Sequence, residues 1–209
     1  MTRVLVADDV PIVREGLSSL IRGEADLTVC AEASSVGEVL ARVRDTRSDL
    51  VLLGLMATGR GGLDALSELR RVHPRTPVLV FNMLPDDSLA VRVIRSGAAG
   101  YLSRGSAARE VMAAIRAVAA GRRYTSPAAG THLASVLVGE TARALHEELS
   151  DREFQVLRQL ASGYTLTEIA ETLSLSVKTI STYRTRVLAK LGVGSTAGLV
   201  RYAIEHRLV

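Results

Sequence analysis

The sequence predicts an α/β domain with a five-stranded parallel sheet, followed by a small all-α domain of four helices. Three observations carry that reading. Over the first 120 residues, short β-branched or leucine-rich runs alternate with amphipathic helical segments. The stretch 121–148 then breaks the alternation with Gly, Pro, Ser and Thr. From residue 149 onward the apolar spacing is helical only. The expected organisation is therefore one domain over 1–120, a linker over 121–148 with a weak helical pattern around 128–137, and a second domain over 149–209.

The strands are expected at 3–7, 27–33, 50–55, 78–81 and 100–103, and the helices at 11–22, 36–46, 63–72, 87–96 and 106–120. "HPRTP" stops the third helix and Gly97 the fourth. Strands joined by helices must run parallel, and a sheet covered on both faces needs near-continuous apolar strands, as in "LVLLGL". In the tail, Ser150 and Glu153 form the N-terminal signature of one helix, which Gly163 ends. Thr165 and Glu168 repeat it for a second. A tight turn at 173–176 then leads to a helix over 177–191, and a last helix covers 196–206. The middle pair reads as helix-turn-helix.

Composition sets limits on function. The chain is 47% apolar and 23% charged, ordinary for a folded soluble protein. No apolar run approaches the roughly 20 residues that cross a bilayer, and "MTRVLVADDV" is unlike a secretory leader, so a cytoplasmic protein with no membrane partner is expected. Cys30 is the single cysteine, which excludes an internal disulfide or a cysteine zinc cluster. The four His, at 73, 132, 146 and 206, show no metal spacing, and "TGRGG" at 58–62 lacks the spacing of a nucleotide loop. No catalytic residue and no cofactor is assigned.

Charge is unevenly spread. Residues 1–149 carry 18 Arg against 17 acidic residues, whereas 150–209 carry 8 basic against 5 acidic. Within 174–191 there are four basic residues and no acid. On the helix 177–191, Val177, Ile180, Val187, Leu188 and Leu191 recur at core spacing, with Tyr183 at the edge. Lys178, Ser181, Thr182, Thr185, Arg186 and Ala189 fall on the other face. Short hydroxyl side chains with Arg and Lys suit a helix lying in the major groove, where the long cations reach phosphate. Double-stranded DNA is the expected partner.

"LSDREFQVLRQLASGYTLTEIAETLSLSVKTISTYRTRVLAKLGV" followed by "STAGLVRYA" resembles the LuxR/FixJ-type helix-turn-helix domain across essentially all of 149–209. The resemblance implies base contacts from Ser181, Thr182 and Thr185. It makes Lys178, Thr179, Arg184, Arg186 and Lys190 candidates for phosphate contact or packing. It also implies dimerisation through the last helix, around Gly198, Leu199 and Tyr202, and hence a homodimer.

The order of elements in 1–120, with "VADDVPIVREGL" and "SGAAGYLSRGS", resembles the flavodoxin-like receiver of NarL/FixJ-type response regulators in two-component systems. Such a receiver accepts a phosphoryl group on an aspartate, assisted by Mg²⁺, a hydroxyl residue and a lysine. Here Asp8 and Asp9 match the family's acidic pair, but the acceptor position falls on Gly54, the hydroxyl on Asn82 and the lysine on Arg104. Residues 1–149 contain no lysine. Glycine has no group that attacks phosphorus or binds a metal, so no metal is expected, with Asp8 and Asp9 a weak site at most. Arg104 is expected to pair with Asp8 or Asp9 in the metal's stead. The resemblance thus implies a transcription regulator with an atypical receiver acting without phosphorylation. The alternatives are an antagonist that sequesters another regulator as a heterodimer, and control by a ligand or protein bound to the receiver.

Overall fold

A computed structural model describes residues 1–54, 62–82, 87–103, 105–126, 129–131, 144–206 and 208–209, with Asp64, Asn82, Asp87 and Ser88 as backbone only. The chain divides into two compact units, Met1–His132 and Leu133–Val209.

In the first unit the elements alternate as the periodicity predicts. They are β1 Thr2–Ala7, α1 Pro11–Arg22, β2 Leu27–Ala33, α2 Val36–Asp45, β3 Leu50–Gly54, α3 Gly62–Val72, β4 Val78–Asn82, α4 Asp87–Arg95, β5 Gly100–Ser103 and α5 Ala108–Ala119. Local chemistry sets the ends. Pro11 opens α1, where its missing N–H costs nothing. Ser35 caps α2 by accepting from the Glu38 N–H. Gly97, at φ 93°, turns the chain after α4 in a conformation that suits glycine.

Among the described residues the sheet has six parallel strands, not the five expected, in the order β2-β1-β3-β4-β5-β6. The sixth, β6 (Tyr124–Thr125), pairs with Gly100 and Tyr101 and is fixed by the Tyr124 N–H to Ala99 carbonyl bond of 3.1 Å. The sequence reading placed these residues in the linker, because a two-residue strand is too short to show any periodicity. Val4, Val6, Leu50, Leu52, Leu79, Phe81 and Leu102 of the sheet pack against Leu17 and Ile21 of α1 and Val111, Ile115 and Val118 of α5. Strand order reverses at β1, whose neighbours are β2 and β3, so a crevice opens beyond the carboxyl ends of β1 and β3.

The second unit holds a 3₁₀ turn at Leu145–Glu148, then α6 Asp151–Ala161, α7 Leu166–Leu173, α8 Val177–Leu191 and α9 Thr196–Glu205. Both predicted capping boxes form: Ser150 with Glu153, and Thr165 with Glu168. Ser174, in the left-handed region at φ 54°, makes the tight turn between α7 and α8. Phe154, Val156 and Leu157 of α6, Ile169 and Leu173 of α7, Ile180, Val187 and Leu191 of α8, and Leu199 and Ala203 of α9 are buried. Most of the expected weak helical stretch at 128–137 lies outside the described residues.

Candidate functional site

The switch-point crevice carries the receiver's acidic pair. β1 delivers Asp8 and Asp9 at its carboxyl end, and register pairs Ala7 with Leu53, which brings Asp8 beside Gly54. Asp8 is fully buried. Its Oδ1 accepts from the Val10 N–H at 2.9 Å, and its backbone carbonyl accepts from Arg14 Nη1 at 2.8 Å.

The carboxylate of Asp8 occupies the space a side chain at position 54 would need. A Cβ built on Gly54 would lie 2.7 Å from Asp8 Cγ and closer still to its Oδ2, with the Ala7 carbonyl oxygen at 3.2 Å. Gly54 does not take a positive φ. Its smallness therefore serves space rather than backbone conformation. The sequence shows which group is absent from position 54, but not that a neighbouring acid fills the gap.

Asn82 ends β4 and pairs across to Ser103 in β5, so its backbone stands one strand over from Gly54. Arg104, and with it the expected pairing to Asp8 or Asp9, lies outside the described residues, as does the 58–62 loop. Among the described residues no three His, Cys, Asp or Glu gather into a metal site. Mg²⁺ takes several oxygens in near-octahedral array. Gly54 supplies no side-chain ligand and Asp8 turns into the space above it, so these residues do not fit the receiver's metal.

The second candidate surface is α8. Ser176 accepts from the Thr179 N–H at 3.1 Å and starts the helix, and Gly192, at φ 65°, ends it. Lys178, Thr182, Thr185, Arg186 and Ala189 are exposed, at spacings that place them on one face, with Ser181 half-buried beside them. The Thr182 hydroxyl donates to the Lys178 carbonyl and the Thr185 hydroxyl to the Ser181 carbonyl, both at 3.0 Å. Each oxygen keeps lone pairs free to accept, as a base-edge amino group requires.

Three candidates have other occupations. The Lys190 ammonium lies 2.7 Å from Glu153 Oε2, and Glu153 is 3% exposed. Burial pushes the Glu153 carboxyl up, but bonds from Lys190 and from the Ser150 amide hold it below its ordinary value. Arg184 Nε donates to Thr196 Oγ1 at 2.9 Å and joins α8 to α9. Thr179 shares a 2.8 Å hydroxyl contact with Ser176 in the cap. Val177, expected in the core, is 44% exposed, because the first residue of the helix precedes the turn that packs.

On α9, Leu199 is fully buried, which corrects its assignment to a dimer surface: at this position the helix faces its own domain. Gly198 and Tyr202 are half-buried, and Ile204, 61% exposed, is the apolar residue the helix presents outward. The structure also gathers residues the sequence left scattered. Tyr202 OH lies 3.1 Å from Nδ1 of buried His146, and the His206 ring stands 5.3 Å from that of His146. Sixty positions separate the two histidines, so no spacing rule reveals the contact.

A parallel α/β receiver with acids at its switch point, joined to a helix-turn-helix with an acid-free outer face, defines a DNA-binding response regulator. The comparisons agree. The family described as "Response regulator receiver domain" matches residues 4–116, and that described as "Bacterial regulatory proteins, luxR family" matches 147–203. The chain is 35% identical to response regulator GacA of Pseudomonas viridiflava, covering 100% of this chain and 98% of the relative. It is 33% identical to response regulator UvrY of Escherichia coli K12, covering 100% and 96%. Among solved structures, RcsB of Salmonella enterica serovar Typhimurium bound to promoter P1flhDC superposes with a TM-score of 0.75 at 24% identity, over 96% of this chain and 97% of that one. The chain belongs to the LuxR-type response regulators, a family of DNA-binding transcription regulators. Among the described residues no helix is long and apolar enough to cross a membrane.

Proposed function

We propose that this regulator binds DNA as a dimer without phosphorylation at the usual receiver position. One observation carries the reading: Gly54 offers no acceptor, and the Asp8 carboxylate fills the space where an acceptor side chain would begin. Here the neighbouring acid packs into the gap, while Asn82 and Arg104 stand where the family has a hydroxyl and a lysine. The proposed organisation extends the receiver of 1–120 through β6 and keeps the DNA-binding domain over 149–209, with the rest of 121–148 joining them.

On the DNA side, Ser181, Thr182 and Thr185 read base edges, while Lys178 and Arg186 neutralise phosphates. Arg184, Lys190 and Thr179 hold the helix in place through the partners described above. The RcsB structure named above shares the fold and is bound to a promoter, in keeping with DNA as the partner proposed here. Dimerisation draws on α9 around Gly198 and Tyr202, with Ile204 added and Leu199 removed. Footprinting of protein never exposed to a phosphoryl donor tests the proposal. The expected result is protection of discrete paired half-sites, with affinity falling steeply as salt rises. No protection at any salt concentration would overturn it.

A further inference from the structure

At the opposite edge of the receiver from Asp8 and Gly54 lies a cleft of about 710 Å³. Thr2, which begins β1, lines it, whereas Asp8 follows the other end of that strand, so the two sites stand roughly 20 Å apart. The cleft draws four guanidinium groups from three places: Arg70 of α3, Arg75 of the turn before β4, and Arg122 and Arg123 between α5 and β6. Asp49 is the one carboxylate in its lining, and its Oδ2 already accepts from the Arg3 N–H at 2.8 Å.

Helix C-termini also meet this edge, and arginines often serve such ends. α3, α4 and α5 finish here, each bringing about half a negative charge. Set against these and Asp49, the four guanidiniums still leave an excess of between one and two positive charges by the same rough measure. Arg70 is accounted for locally, since its Nη1 donates to the Thr76 carbonyl at 3.4 Å. Arg75, Arg122 and Arg123 are exposed and form no ion pair among the described residues. Elsewhere on the receiver Arg116 is held by both Glu24 and Asp26, and Arg22 by Glu32. Three cations without an ion pair among the described residues therefore converge on this one concavity. Ser48 lines the same cleft, and its hydroxyl, shut off from solvent, has no hydrogen-bond partner among the described residues.

We propose that this cleft binds an oligophosphate. Guanidinium forks match phosphate oxygens two at a time, and arginines on separate elements suit an anion that spans several phosphates. The volume falls within the range of small-molecule sites. No Phe, Tyr, Trp or His lines the cleft, so nothing there stacks on a base, and recognition falls on the phosphates. The ligand is a free oligophosphate or the phosphate end of a nucleotide. Because the turn between α5 and β6 contributes two of its arginines, occupancy would bear on the segment by which the chain leaves the sheet.

Isothermal titration calorimetry of the full chain with sodium tripolyphosphate tests the proposal, with ATP and adenosine as parallel arms. One site per chain is expected, weakened at least tenfold by Arg122→Ala/Arg123→Ala and unchanged by Lys178→Ala/Arg186→Ala on α8. Adenosine should give no heat. ATP binding more tightly than tripolyphosphate identifies a nucleotide as the source, and equal or weaker binding identifies a free oligophosphate. Arg122 and Arg123 are exposed, so the thermal midpoint of their double variant should match that of the parent, which separates loss of binding from loss of fold. No heat with tripolyphosphate, affinity retained in the Arg122/Arg123 variant, or affinity lost in the α8 variant would each overturn the proposal. So would an Arg122/Arg123 variant that loses DNA affinity in a protein that ignores tripolyphosphate, since the cleft would then serve DNA. These readouts are independent of whether the regulator is phosphorylated.

Discussion

Placing a methyl group at position 54 tests the packing of Asp8 directly. In Gly54→Ala the new Cβ overlaps the Asp8 carboxylate, 2.7 Å from its Cγ, so Asp8 must rotate away. That rotation breaks the bond from the Val10 N–H to Oδ1, a hydrogen bond to a charged group in a fully buried setting. Such a bond contributes about 1.5–3 kcal/mol. The backbone contributes no penalty, because Gly54 does not use positive φ, and replacing glycine by alanine restricts the unfolded chain by about 0.4–1 kcal/mol in the variant's favour. The net expectation is a loss of about 0.5–2.5 kcal/mol. In an Asp8→Ala background the obstruction is gone and the same change should be neutral or slightly stabilising, with only the Ala7 carbonyl still close at 3.2 Å. Urea unfolding of the parent, both single variants and the double variant gives the coupling free energy, expected at about 1.5–3 kcal/mol. Equal effects of Gly54→Ala in the two backgrounds would refute the idea that the acid fills the glycine's space.

The remaining predictions concern the helical domain and one surface ion cluster. Arg186→Ala should weaken all DNA sites alike and lower the slope of log affinity against log salt by about one. Thr185→Ala should instead alter sequence preference, by about 1–3 kcal/mol at one base pair, and a selection experiment from random DNA reads this out. Lys190→Met should destabilise the domain by about 1–3 kcal/mol, short of the range for fully buried pairs because Lys190 is 40% exposed. Glu153 has a folded pKa below its unfolded value, so its contribution is complete above the ordinary carboxylate range and lost as pH falls through the lowered value. Acid unfolding of the parent should therefore be steeper there than that of Lys190→Met. At the start of β2, the side-chain bond from Arg116 holds the Asp26 carboxyl down at about 2. NMR titration of Arg116→Ala should return it toward the ordinary range, and an unchanged value would contradict the assigned partner.

How far the sequence reached depended on how local each signal was. Helix α8 was readable to the residue, since Ser176 and Gly192 mark its ends by capping chemistry that acts within one turn. The alternation of β and α was readable because apolar periodicity is a property of single elements. β6 was not, because its two residues join the sheet only through the edge that β5 offers. Lys190 and Arg184 counted as ambiguous cations until folding placed Glu153 and Thr196 beside them. Leu199 was assigned to a dimer face by resemblance, whereas its side chain closes the core of its own domain. At Gly54 the sequence showed the missing acceptor, and only the fold showed Asp8 lying in its place. The arginine cleft is the extreme case, since Arg70, Arg75, Arg122 and Arg123 become neighbours only when three elements end at one sheet edge.

The proposed regulator's DNA binding does not await a phosphoryl group. Fluorescence anisotropy on a footprinted site, with and without prior incubation in acetyl phosphate and Mg²⁺, measures that claim directly. The two affinities should agree within about twofold, a difference below half of 1 kcal/mol. Binding that tightens tenfold or more after treatment, with phosphate found on the chain, would contradict it.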